Sequence, residues 1–170
     1  MKYFGQDVEE LTEFLDFIEE DIENVRRVIT FLENKDIDPE LRVHAKSETA
    51  EESARHTDVE LGQIVKTLVF KTGDSFVAVL CPGDKRVDEE KLSKLTDSNV
   101  RMANPVEVTE ETGYVVGGVS PFDLQIPLYM EESILSHDYV RPAAGSRVIG
   151  VRIKSDILDE ISNRTISITE

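Results

Sequence analysis

Two short stretches hold the residues best suited to chemistry. Thr112 to Asp123 reads TGYVVGGVSPFD, with Gly113, Gly117 and Gly118, a Ser120-Pro121 step and two aromatics. The paired glycines let the backbone turn sharply, or approach a ligand with no side chain between. Pro121 fixes its own φ and biases Ser120 toward an extended conformation. The expected product is a rigid loop with N–H groups turned outward, suited to holding a carbonyl or phosphate oxygen. A β-bulge and turn without a ligand fits the same residues.

The second stretch, Gln63 to Lys71, reads QIVKTLVFK. Its β-branched content predicts a buried strand, and alternation puts Ile64, Lys66, Leu68 and Phe70 on one face. A lysine on an apolar face must find a carboxylate, carbonyl or phosphate, or reach water through its flexible stem. In a site it would serve as a cationic clamp, or as a base if its pKa is lowered.

Other chemistries find little support. Cys81 is the only cysteine, which excludes an internal disulfide, and no histidine lies near it in sequence to activate a thiolate. His44, His56 and His137 lack the spacing of a helical metal pair, so neither a metal nor another cofactor is expected. There is no GxGxxG and no GxxxxGK[ST], and GGVSPF is not a GxSxG elbow because proline follows Ser120. The net charge of −16 argues against a broad basic surface for nucleic acid. Positive potential for a polyanion would have to be local, at Lys66, Arg101, Arg141 and Arg147. No apolar run reaches membrane-spanning length, and the acidic start carries no leader pattern, so a cytoplasmic location is expected.

The elements that position these stretches follow from local signals. Val8, Leu11, Leu15, Ile18, Ile22, Val25, Ile29 and Leu32 repeat at steps of three and four. They predict one long N-terminal helix, or two nearly in line, packed on its own domain or forming a homodimer seam. A short strand is expected at Leu41 to Ala45 and a capped helix from Thr49 to about His56. The lysine strand should turn at Thr72-Gly-Asp-Ser75 into a second strand ending at Cys81. Asp88 and Asn104-Pro105 mark helix starts, and Gly113 a helix end. Strands are expected at Val100 to Ala103, Ile126 to Met130, Tyr139 to Arg141, Val148 to Ile153 and Arg164 to Ile168. Ser155 should cap a final helix. About seven short strands and four or five helices, linked partly by hairpins, predict an α+β fold: a mixed, largely antiparallel sheet with helices around it.

With Lys66 in QIVKTLVF, Gly117 to Phe122 after TGY, and the Ala144-Gly145-Ser146 loop, the chain resembles the YbaK/aminoacyl-tRNA synthetase-associated domain family. These are the YbaK and ProX-like deacylases and the inserted editing domain of bacterial prolyl-tRNA synthetase. The resemblance covers residues 23–170 and leaves 1–22 as an N-terminal helical extension of a single domain. It implies a curled mixed sheet and hydrolysis of the ester of mischarged aminoacyl-tRNA. It implies that Lys66 is the strand lysine of the editing pocket and that Gly117 and Pro121 shape its wall. Gly145 and Ser146 would lie in the facing loop.

On this reading Lys66, Gly117, Gly118 and Ser146 are the catalytic candidates. Pro121, Val119, Ser120, Gly145, Ala144, Met102 and Arg147 would meet the substrate, with Val65 and Leu80 as further wall residues. Backbone N–H groups from Val116 to Gly118, or from Ala144 to Ser146, would supply the oxyanion donor. The expected substrate is mischarged tRNA carrying a small amino acid, such as Ala- or Cys-tRNA(Pro), and an aminoacyl-tRNA synthetase is a possible partner. The chain departs from the family pattern at two places. Ser146-Arg147-Val148 offers no histidine, asparagine or aspartate after the small residues, and Asp123 stands where glycine is frequent. A catalytically inactive module that binds aminoacyl-tRNA, a nucleotide or a synthetase is therefore the alternative.

Overall fold

The computed structural model describes residues 8–43 and 59–170. The expected helix from Thr49 to His56 lies outside them. Helix α1 spans Val8–Asn34 without interruption. Strand β1 is Glu40–Val43, and a 3-10 turn at Leu61–Gln63 leads into β2, Ile64–Thr72. Then come β3 (Ser75–Pro82), α2 (Glu89–Thr96), β4 (Val100–Met102) and α3 (Pro105–Thr112). After the bend follow β5 (Leu128–Glu131), a 3-10 helix (Glu132–Ser136) and β6 (Tyr139–Pro142). Strand β7 (Ile149–Lys154), α4 (Ser155–Ile161) and β8 (Arg164–Ile166) complete the fold.

The local signals explain most boundaries. The two-residue turn between Thr72 and Ser75 has Gly73 at φ +63°, the position where a hairpin turn needs glycine. Asp88 caps α2 by accepting from the N–H groups of Glu90 and Lys91, and Asn104 caps α3 by accepting from Glu107 N–H. Gly113 ends α3 in the left-handed region. At α4 the expectation is off by one: Ser155 is the first helical residue, and the N-cap is Lys154, without a side-chain cap.

The eight strands form one mixed sheet in the order β1-β7-β6-β2-β3-β5-β8, with β4 added on β2. Pairings β1–β7, β2–β3, β2–β4 and β6–β7 are antiparallel, while β2–β6, β3–β5 and β5–β8 are parallel.

The two faces of the sheet differ. Val65 and Val69 on β2, Ala78 and Leu80 on β3, Val140 on β6 and Val151 on β7 point inward, into the main core. Helix α1 covers that face with Phe17, Val25, Val28 and Leu32. Val28 and Leu32 are fully buried, worth about 1.5–3 kcal/mol each. The buried stripe of α1 thus runs through Phe17, Asp21, Val25, Val28 and Leu32, not through the expected Leu15 and Ile22, which are 53% and 36% exposed. On the outer face, Phe70, Val77 and Val79 pack with Leu92 of α2 and Ile168 in a second, smaller core.

Candidate functional site

Helix α1 organises the glycine-rich bend. Arg27 donates through Nε to Asp123 Oδ2 at 2.8 Å, through Nη1 to the Thr112 carbonyl at 2.6 Å, and through Nη2 to the Asp123 carbonyl. Its guanidinium lies over the Tyr114 ring, 4.2 Å from the centroid. Tyr114 is fully buried and donates its hydroxyl to the Phe122 carbonyl at 2.7 Å, which ties the two ends of the bend together. Burial pushes that phenol up to about 12, so it remains a donor at neutral pH.

Within the bend, Gly117 sits at φ +93° and Gly118 N–H donates to the Val115 carbonyl at 2.8 Å, closing a tight turn. Among the described residues the N–H groups of Val116 and Gly117 make no hydrogen bond, and Val115 to Gly117 are exposed. Gly118 N–H is thus committed, as is Ala144 N–H, which donates to the Ile149 carbonyl at 3.0 Å, so among the described residues the expected oxyanion donors narrow to Val116 and Gly117 in the bend and Gly145 and Ser146 in the facing loop. The second half of the bend is core: Val119 and Phe122 belong to the main cluster, and Ser120 is fully buried, its hydroxyl without a hydrogen-bond partner among the described residues.

The facing loop packs directly on the bend. A Cβ on Gly118 would lie 3.0 Å from the N, Cα and C atoms of Ser146. Ser146 Oγ accepts from Val148 N–H at 3.2 Å, a local turn. Gly145, at φ +85°, lies against the Asn24 backbone, where a Cβ would come within 2.8 Å. Asn24 in turn donates to the Gly113 carbonyl at 3.1 Å. Arg147 pairs with Glu20 at 2.8 Å and with the buried Asp21 at 3.7 Å, and its guanidinium covers the Phe17 ring at 4.0 Å. Asp21, Asn24 and Arg27, one helical turn apart in succession, thus hold both loops to one helix. None was anticipated from sequence. Little in the sequence marked them, since Asp21 stands off the repeat read from Val8 to Leu32.

Lys66 lies elsewhere. It is half-buried on the outer face, opposite Cys81 in the β2–β3 register, and its Nζ donates to the Lys85 carbonyl at 3.0 Å. Its amine therefore does not face the bend, whose Val119 and Phe122 pack with Val65 and Val69 on the other side of the sheet. The physical reason is alternation: Thr67, not Lys66, shares the inward face, where its hydroxyl is buried without a partner among the described residues. Cys81 Sγ reaches the same Lys85 carbonyl at 3.4 Å, and burial pushes the thiol up to about 11, which keeps it protonated. Nearby, the Glu131 carboxylate accepts from the N–H groups of Ser133, Ile168 and Thr169. Burial works to raise its pKa, but those hydrogen bonds outweigh it and hold the carboxyl below its ordinary value.

The remaining predicted residues separate. Met102 is 53% exposed on β4, which pairs only with Phe70 to Thr72 at the far end of β2, so it does not line the bend. Val65, Leu80, Val119 and Ala144 fill the main core. Pro121 is buried in the bend. The four cations expected around one mouth do not converge. Arg101 pairs with Glu107 at 2.9 Å, and Arg147 is neutralised beneath α1, while Lys66 and Arg141 share the outer face. No helix among the described residues is long and apolar enough to cross a membrane.

Residues 44–160 match the family model of the aminoacyl-tRNA editing domain, a range that includes Lys66, the bend and the facing loop. The uncharacterized protein YwhH of Bacillus subtilis (strain 168) is 34% identical over 119 residues, 68% of this chain and 76% of that one. A proline–tRNA ligase of Solidesulfovibrio magneticus is 36% identical over 95 residues, 54% of this chain but 16% of the ligase. A crystal structure described as a candidate trans-editing enzyme for prolyl tRNA synthetase superposes with a TM-score of 0.79 at 30% identity, covering 86% of this chain and 96% of that one. The family model spans well over half of the chain, and the chain belongs to the aminoacyl-tRNA editing domain family.

Proposed function

We propose that the protein is a deacylase acting in trans: it hydrolyses the ester that joins a small, wrong amino acid to the 3′ end of a tRNA. The observation that carries this reading is the exposed turn at Val115 to Gly117, where two neighbouring N–H groups have no hydrogen bond among the described residues, inside the region matched to the editing domain. An aminoacyl ester is already activated, so a held carbonyl and a placed water suffice. Water adds to the carbonyl carbon, the Val116 and Gly117 amides stabilise the oxyanion, and the bond to the ribose oxygen breaks as that oxygen takes a proton. Lys66 Nζ donates to the Lys85 carbonyl, and on the outer face, away from the bend, a tRNA backbone phosphate is a stronger acceptor for its ammonium. Similarity to part of proline–tRNA ligases makes alanyl- and cysteinyl-tRNA(Pro) the first substrates to try, and a synthetase the first partner. A cytoplasmic location goes with that substrate.

Incubation with Ala-, Cys- and Pro-tRNA(Pro) tests the proposal. Free amino acid should be released from the first two, not from the third, and release should be lost in Lys66→Ala. No release from any tRNA carrying a small amino acid, under conditions where the protein is folded, would remove it. One observation favours a second reading, binding without turnover: among the described residues the polar side chains of the facing loop, Ser146 and Arg147, already engage Val148 N–H and the carboxylates of Glu20 and Asp21, which leaves little to place the water. Saturable binding of mischarged tRNA with the ester intact would select that reading.

A further inference from the structure

A cavity of about 370 Å³ opens on the outer face beside the starts of β2 and β6, lined among others by Gln63, His137, Asp138, Tyr139, Arg141 and Arg152. Ester hydrolysis at the bend gives these residues no role. Their charges do not balance. Arg152 donates to Glu40 at 3.1 Å and lies over the Tyr139 ring, 3.6 Å from the centroid. Arg42 occupies the other oxygen of Glu40, and these two hydrogen bonds hold that carboxyl below its ordinary value. Arg141 is half-buried, and its guanidinium has no hydrogen bond or ion pair among the described residues. Asp138 is the one carboxylate among the described residues lining the cavity. Burial, and then Arg42 and Arg152, push the Arg141 pKa down, yet a guanidinium does not shed its proton in a protein. A chain of net charge −16 keeps an unpaired cation beside two others, an arrangement that an anion would relieve.

We infer that the Arg141 cavity binds phosphate, and that the phosphate is one of the tRNA backbone. The inference rests on the editing reading for its ligand. Arginine presents a planar fork that matches a phosphate with two parallel N–H bonds. The surroundings suit a chain of phosphates better than a single ion. Arg141 pairs with Ile64, and Lys66 follows on the same face about 7 Å further along β2. Lys154, opposite Tyr139 in the β6–β7 register, adds an exposed cation on the other side. The result is a row of positive groups across β7, β6 and β2 on a molecule that is otherwise acidic.

The test is binding of uncharged tRNA across a salt series. Arg141→Gln should weaken binding roughly tenfold at low salt and lower the slope of log K against log salt by about 1. Lys94→Gln, which removes an exposed α2 cation paired with Glu90, should change neither. Arg141→Lys keeps the charge and should retain the slope, which separates lost charge from a damaged fold. Unchanged affinity and slope in Arg141→Gln overturn the inference. So does loss of inhibition by inorganic phosphate while tRNA binding stays intact, which would mark a small free anion as the ligand. Deacylation is read in parallel. Wild-type turnover with an unchanged slope in Arg141→Gln removes the phosphate site and leaves editing. Arg141-dependent tRNA binding without wild-type turnover supports the site and removes hydrolysis.

Discussion

Gly118→Ala puts a methyl group where three backbone atoms already stand. The added Cβ would lie 3.0 Å from N, Cα and C of Ser146, and none of these is the end of a flexible side chain. Bend and facing loop must part by a few tenths of an ångström, because ordinary contacts begin near 3.4 Å. Overpacking of this kind costs about 1–3 kcal/mol. For a chain of this length that is a fall in Tm of roughly 2–12 °C. The Val116 and Gly117 amides sit immediately before the displaced residue. A full ångström of misplacement costs about a hundredfold in rate, so the smaller shift should cost roughly tenfold. Gly117→Ala makes a useful contrast: its strain is in the backbone at φ +93°, about 1–2 kcal/mol, and the atoms it meets, Arg147 Cγ and Cδ, belong to a side chain and not to the backbone. Thermal melting and release of amino acid from Ala-tRNA(Pro) measure the two effects. A wild-type Tm for Gly118→Ala would refute the close packing of the loops. A lowered Tm with an unchanged rate would refute the assignment of the carbonyl to this bend.

Arg27→Ala removes three hydrogen bonds and the contact with Tyr114, and should destabilise by about 2–4 kcal/mol in urea denaturation. Arg27→Lys should recover only part, since an ammonium cannot bridge Thr112 and Asp123 as a fork. Glu131 has a folded-state pKa below its unfolded value of 4.5, so its contribution is present above pH 4.5 and is lost as pH falls through the folded value. Glu131→Gln should flatten that acid limb in denaturation midpoints taken from pH 7 to pH 3. Cys81, buried and held near 11, should resist iodoacetamide at pH 8 in the native protein and react fully once unfolded, as mass spectrometry would show.

Helix caps, the hairpin and the facing of the lysine strand were legible because each depends on residues a few positions apart. Asn104, Pro105 and Gly113 bound α3 by local hydrogen bonding and φ preference alone. The partner of Lys66 was not legible: it is a main-chain carbonyl nineteen residues on, which no side-chain pattern marks. Nor was the clamp of Arg27 on Asp123, which spans 96 residues, or that of Arg147 on Glu20, which spans 127. Hairpins announce antiparallel neighbours, but the parallel contacts β2–β6, β3–β5 and β5–β8 depend on long crossovers that leave no local trace. The resemblance pointed to the glycine bend and the facing loop, which pack on each other, yet strand alternation decided on which side of the sheet the amine would lie.

Because a single rod carries the anchors of both loops, their separation is not free to vary independently. Shortening the chain to residue 23 would discard Phe17, Glu20 and Asp21, and with them every ion pair and ring contact recorded for Arg147. Arg27 would keep its grip on the bend. Such a shortened protein should retain one jaw and loosen the other, so that the leading helix acts as the gauge that sets the gap.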